Sequence, residues 1–191
     1  MEKSIGNQIV QIGIELIRKK GYNHVGLQEI LATAKVPKGS FYYYFKSKED
    51  FGIKVIEQYS KNSLKILLTY VEDTSKPSKE RMISFFTDMR GVYKEKGFSE
   101  GCLLGNCSLE LSDLNENFAG VISKELNQWQ LVFEECIAEG QKDKSILNQT
   151  NAQVLGGFVL NSWEGALLRM KADKTIKALD DFIEIIHQLL S

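Results

Sequence analysis

Val36-Pro37-Lys38-Gly39-Ser40-Phe41-Tyr42-Tyr43-Tyr44-Phe45-Lys46-Ser47-Lys48-Glu49-Asp50 is the stretch whose reading decides the fold. Pro37 has a fixed φ and no N–H, so it suits the start of a helix and not its middle. Lys38, Gly39 and Ser40 form the leading turn. Phe41 and Phe45 stand four apart, share one face and point inward. Ser40, Tyr42 and Tyr43 fall away from that face, toward a partner. Ser47 and Asp50 make a serine–x–x–acid pattern, a capping box with the shorter acid, and predict a helix from Lys48. Lys46 and Lys48 flank that start, where exposed backbone N–H groups favour a phosphate. A very short helix with small, hydroxyl-bearing and basic outward groups is suited to a DNA major groove.

The upstream residues complete a three-helix helix-turn-helix unit. Ile5, Ile9, Ile12 and Leu16 recur at helical spacing, and Lys19-Lys20-Gly21 is a helix stop with basic residues in its last turn. Gly26 precedes a second short run whose stripe is Leu27, Ile30, Leu31 and Ala34. Taken together, Gly21, Ile30-Leu31-x-x-Ala34, Val36, Lys38-Gly39-Ser40 and Tyr42-x-x-Phe45-Lys46-Ser47-Lys48 resemble the TetR family of transcriptional repressors. The resemblance covers the first fifty residues at motif level and the whole chain in helix order. Gly13 departs from it where the family usually has alanine, and Gly26 where a Ser or Thr commonly caps the second helix. Each departure costs up to about 1 kcal/mol locally, which predicts a somewhat loose module.

Composition bounds the alternatives. The 191-residue chain is ordinary in its apolar and charged fractions, has two prolines, and carries few strand signals, so an all-helical protein is expected. No long apolar run predicts a membrane helix, and Met1-Glu2-Lys3-Ser4 lacks a signal-peptide core, so cytoplasmic location is expected and no membrane partner. The net charge of −1 splits unevenly. Residues 1–50 hold eight Lys/Arg and five Asp/Glu, 8 − 5 = +3, and residues 51–191 hold sixteen and twenty, 16 − 20 = −4. A basic head on an acidic body suits DNA reading by the head alone. Three cysteines make no disulfide framework, and His24 and His187 lie far apart, so neither a metal, a cofactor nor a catalytic residue is expected.

The remaining helices are read from periodicity. One long helix runs from Lys48 to about Val71, a lever between head and body. A second spans Lys79 to about Lys96 with Ile83, Phe86, Met89, Arg90 and Tyr93 along it. Gly97–Gly101 is a loop, and Cys102–Leu111 a short helix. The next, capped or preceded by Ser112-Asp113, runs to Gly140 with Leu126, Trp129, Phe133 and Ile137 inside. Gln141–Thr150 is a polar loop. The last two helices are Asn151 to about Lys171 and Ile176 to Leu190. The predicted organisation is about nine helices. Residues 1–47 form the helix-turn-helix DNA-binding domain, and residues 48–191 an effector-binding and dimerisation domain.

Site residues follow. Tyr42, Tyr43, Lys46 and Lys48 are candidates for phosphate, and Lys38, Gly39 and Ser40 for base edges, on a double-stranded DNA operator. The resemblance implies a small-molecule effector held in the body, for which Phe86, Tyr93, Trp129, Phe133, Phe158 and Trp163 are candidates, with ordinary core as the alternative. It also implies a homodimer through the last two helices, for which Gly156, Gly157, Gly165 and Ala166 allow close approach. Gly101-Cys102-Leu103 through Leu114 resembles a subgroup of the family, the NemR-type repressors. Those sense electrophiles through a cysteine here, with a lysine near the end of the penultimate helix as partner. Cys102 and Lys171 stand at those positions. Rival readings are a ligand-independent regulator or a helical protein-interaction module on the same fold. A helical enzyme lacks its convergent acid, base or metal cluster.

Overall fold

The computed structural model describes residues 5–191; the Met1–Ser4 segment lies outside them. Nine helices and no strand occur among the described residues: α1 Ile5–Lys20, α2 Leu27–Ala34, α3 Lys38–Tyr44, α4 Lys48–Val71, α5 Ser78–Glu95, α6 Leu103–Leu111, α7 Glu116–Asp143, α8 Ala152–Asp173 and α9 Lys177–Leu189. They group into two units. One holds residues up to Asn62 together with Cys102–Glu125, and the other holds Ser63–Gly101 and Leu126–Ser191. Helices α4 and α7 contribute residues to both.

In the first unit the inward face of α1 differs from the expected stripe. Ile9, Val10, Gly13, Ile14 and Ile17 are buried, whereas Ile5 is exposed and Ile12 and Leu16 are half-buried. Apolar residues surround this helix, so two glycines decide the face. A Cβ on Gly13 would meet Val55 Cγ2 at 2.8 Å and the Phe51 ring, and one on Gly6 would meet Tyr44 Cδ1 at 2.8 Å. Gly13 is therefore a close-packing residue and not a source of looseness. Gly26 starts α2 with no side-chain cap and with nothing near its missing Cβ, as the departure from the family pattern implies.

Helix α2 closes with Lys35 in the left-handed region at φ 55. Lys35 N–H donates to Ala32 O at 3.2 Å and Val36 N–H to Leu31 O at 3.1 Å, the Schellman pairing. Pro37 then caps α3. Phe41 and Phe45 point inward, with ring centroids 5.0 Å apart and 5.5 and 5.2 Å from Phe51. At the start of α4, Ser47 Oγ accepts from Asp50 N–H at 3.0 Å, while the Asp50 carboxylate accepts from Lys46 N–H at 2.9 Å, one residue further back than in the standard box.

The second unit is built on aromatic rings. Phe86 is fully buried, with Phe85 at 5.2 Å, Phe133 at 5.5 Å, Trp163 at 5.0 Å and Phe182 at 4.8 Å between centroids. The buried face of α5 is Met82, Phe85, Phe86 and Tyr93, and Ile83, Met89 and Arg90 are only half-buried. Arg90 pairs instead with Asp180. Arg81 is buried and joins three helices: it donates to Val71 O at the end of α4, to Ser78 Oγ at 2.7 Å and to Glu139 Oε1 at 2.7 Å.

Two boundaries move. Asn115, not Ser112 or Asp113, caps α7, its Oδ1 accepting from Asn117 N–H at 2.9 Å and Phe118 N–H at 3.1 Å. The helix then runs through Gly140 to Asp143, because Gly140 serves packing: a Cβ there would meet Ile146 Cδ1 at 2.6 Å. Gly156 on α8 likewise lies against the backbone of α7, 3.0 Å from its would-be Cβ to Glu134 N, so this glycine is used inside the chain. Gly165 is open.

Candidate nucleic-acid interface

Helix α3 buries Phe41 and turns its remaining residues outward. Three consecutive tyrosines cannot share one inward face, and all three are exposed: Tyr42 at 53%, Tyr43 at 81% and Tyr44 at 39%. Lys38 and Gly39 are exposed and Ser40 half-buried. The Lys38 ammonium lies 5.9 Å from the Tyr42 ring centroid. Lys46 is exposed in the turn between α3 and α4. The structure thus brings Lys38, Gly39, Ser40, Tyr42, Tyr43 and Lys46 onto one seven-residue helix and the turn that leaves it. Glycine is a poor helix residue. A Cβ on Gly39 would meet nothing within 4 Å, so the packing of the chain does not demand it.

Lys48 is placed differently. Its ammonium donates to Tyr22 O at 3.1 Å and stands 4.6 Å from the Tyr22 ring centroid. Partial burial lowers its pKa, and Glu110 opposes that shift. Its cation closes the turn between α1 and α2. Tyr22 is buried there, its ring edge-on to Phe118 at 5.1 Å and over Gly52, where a Cβ would meet Tyr22 Cε2 at 2.5 Å. Burial first, then the charges of Glu49, Cys107 and Glu110, push the Tyr22 phenol up to about 12.

Sequence reasoning missed Glu110. Its Oε2 accepts from Tyr22 N–H at 2.9 Å and its Oε1 from Asn23 N–H at 2.6 Å. A signal was available: between Cys102 and Ser112 it is the one charged residue.

The proposed effector residues divide. Phe86, Phe133 and Trp163 belong to the ring cluster, and Tyr93 joins it with its centroid 6.2 Å from that of Trp163. Trp129 is buried one turn before Phe133 on α7. Phe158 does not join them: it is 50% exposed on α8, on the face that also carries Val154 and Leu168. The cause is helical phase, since Leu155, Val159 and Trp163 occupy the inward side.

All three cysteines are buried thiols. Cys102 caps the start of α6, and Asn106 N–H donates to its carbonyl at 3.0 Å. Burial pushes Cys107 up to about 12, reinforced by Glu110, and Cys136 to about 12, partly offset by Arg81. Lys171 is half-buried near the end of α8. Among the described residues no cluster of His, Cys, Asp and Glu is able to hold a metal ion, and no helix is long and apolar enough to cross a membrane.

Comparison with known proteins gives one answer at every level. Residues 9–51 match the family described as bacterial regulatory proteins, tetR family, and residues 78–186 match the tetracyclin repressor-like C-terminal domain. The chain is 34% identical over 186 residues to the HTH-type transcriptional repressor DhaR of Mycobacterium sp. (strain GP1), covering 97% of this chain and 92% of that one. It resembles the crystal structure of a regulatory protein TetR from Rhodobacter sphaeroides at a TM-score of 0.91 and 31% identity, covering 97% and 98% of the two chains. The crystal structure of E. coli NemR in its reduced form shares the fold at a TM-score of 0.93 and 24% identity, covering 99% and 98%.

Proposed function

This chain belongs to the TetR family and is a DNA-binding transcriptional regulator, and on that premise we propose that it is a cytoplasmic, dimeric repressor released from a palindromic operator by an electrophile or another small molecule. The observation that carries the DNA-reading half is the outward surface of α3. It presents Lys38, Gly39 and Ser40 for base edges and Tyr42, Tyr43 and Lys46 for phosphates. Lys48 leaves the phosphate set and holds Tyr22 instead. Residues 1–47 do the reading, and 48–191 supply effector response and dimerisation.

The dimer forms through α8 and α9. Val154, Phe158 and Leu168 recur on one exposed face of α8 and Ile185 is exposed on α9, an apolar surface that a second copy would cover. A two-fold pair would read half-sites about 34 Å apart.

For release, the thiol reading is better supported than a large ligand among the rings. Phe86 and Phe133 are fully buried and packed on one another, which favours a core role for them. Cys102 is the N-cap residue of α6, at the position where the family resemblance puts the sensing cysteine. Its thiolate adds to the β-carbon of an α,β-unsaturated carbonyl, forming the C–S bond, and the thiol proton finishes on the α-carbon. Lys171 enters this reading through the family resemblance alone. Because α4 is continuous from Lys48 to Val71, a change of state that moves one end is carried along the helix and shifts the population of DNA-competent dimers.

The test is binding to the DNA flanking the protein's own gene at fixed salt, with and without a mild electrophile, for the wild type and Cys102→Ser. Tight binding lost on treatment only in the wild type supports the whole reading. Release of both proteins removes Cys102, and release of neither points to a non-covalent effector. No binding by folded protein at low salt counts against operator sites at its own gene.

A further inference from the structure

We propose that Glu110 is a positioning residue for DNA reading: from α6 it holds the α1–α2 turn and so sets how α3 is presented. The proposal rests on the reading of α3 as the DNA-contacting helix. Helix α1 ends at Gly21, at φ +83. The next two N–H groups, on Tyr22 and Asn23, fall in the turn before α2. They donate to the two oxygens of one carboxylate, Glu110 Oε2 and Oε1, at 2.9 and 2.6 Å. The carboxylate lies against the turn itself, since a Cβ on Gly21 would meet Oε2 at 3.0 Å. Such charge-assisted pairs are stronger than neutral ones.

The same turn is gripped from below. Tyr22 wedges over Gly52 and against Phe118, and Lys48 donates to its carbonyl. Helix α6 is anchored by Leu103, Leu104, Cys107 and Leu111, all buried, so Glu110 transmits the position of a fixed helix to the turn. From there the link to α3 is short: α2 follows the turn directly, and its last residue, Ala34, accepts through its carbonyl from Gln8 Nε2 of α1 at 3.2 Å. A turn closed by its own backbone would hold regardless of α6. This turn has one backbone bond of its own, Val25 N–H to Tyr22 O at 3.3 Å, which leaves the Tyr22 and Asn23 N–H groups to Glu110 and so ties their placement to α6, the helix that Cys102 opens about two turns earlier.

The experiment uses the full chain with Glu110→Ala and Glu110→Gln. Amide exchange is followed residue by residue in the free protein, and operator affinity is measured over a salt series. Glu110→Ala should speed exchange at Tyr22 and Asn23 by roughly tenfold or more while leaving mid-α1 amides protected. It should weaken operator binding by a similar factor with an unchanged salt slope, because no phosphate contact is lost. Glu110→Gln should fall between, since its amide oxygen still accepts; it also carries the test if the alanine variant does not fold. Unchanged exchange at both amides would overturn the proposal. So would faster exchange with undiminished operator affinity, which would make Glu110 a turn-holder with no part in reading. Should the wild type bind no duplex, the premise about α3 falls. The exchange data then still decide whether Glu110 holds the turn.

Discussion

Gly39→Ala should make the protein more stable and a worse DNA binder. The glycine is the second residue of α3, and an added Cβ would meet nothing within 4 Å. Replacing a helical glycine by alanine then contributes about 0.5–1 kcal/mol, less backbone freedom being lost on folding. For a chain of this size that raises the melting midpoint by roughly 1–4 °C. Against DNA the same methyl fills the gap that lets the backbone approach the bases. Overpacking of a close contact costs about 1–3 kcal/mol, which is roughly 5- to 150-fold in affinity. The assay pairs a thermal melt with anisotropy titrations of an operator duplex and a scrambled duplex at one salt concentration. The two effects have opposite signs, so a general loss of folding cannot imitate them. Wild-type operator affinity in a variant with a raised midpoint would refute the reasoning and remove Gly39 from the interface.

Four further outcomes follow from the geometry. Lys46→Ala should weaken binding to every duplex and reduce the salt slope by about one, whereas Lys48→Ala should leave the slope alone and lower stability by about 1 kcal/mol through loss of its place on Tyr22; salt-series titrations and melts of both variants check this. Cys107 and Cys136 should resist alkylation at pH 8, where a thiol near 12 carries roughly a thousandfold less thiolate than one near 9, a ratio that mass spectrometry of native against unfolded protein measures. The same two groups hold their protons in the folded state after the unfolded chain has released them, so their contribution is complete below pH 9 and is lost as pH climbs toward 12; melting midpoints should fall across that window in the wild type and less steeply in Cys107→Ala. Phe158→Glu should break the dimer without unfolding the monomer, its site being half-exposed in the single chain, and sedimentation at micromolar concentration shows which species is present.

Local signals carried the chain far. Ser47 marks the start of α4 because its hydroxyl bonds a neighbour three residues away. Phe41 and Phe45 are legible for the same reason: four-residue spacing on a short helix allows one inward face. What escaped depended on distant partners. In α1 several apolar faces compete, and the winner is set by Phe51 and Val55 closing on Gly13. Gly140 reads as a stop until Ile146 is seen lying on it. Ser112, Asp113 and Asn115 are all good caps, and only the placement of α7 chooses Asn115. Phe158 has the chemistry of a pocket residue, but helical phase turns it outward. Lys48 shows in the sequence as a cation at a helix start, and its reach to the Tyr22 carbonyl needs the fold to be seen.

The unit that contains α3 is assembled from two separated stretches, residues up to 62 and 102–125. During synthesis the helix-turn-helix residues emerge first, yet the carboxylate of Glu110 and the ring of Phe118 are still to be made. A ribosome that has delivered the first sixty residues has not delivered a finished reader. Competence for DNA should therefore arrive late in translation, with the arrival of residue 118 and its neighbours. The same arrangement limits grafting: a head transplanted onto another body as residues 1–47 leaves the Tyr22 turn without its acceptors, so a working exchange must move both stretches together.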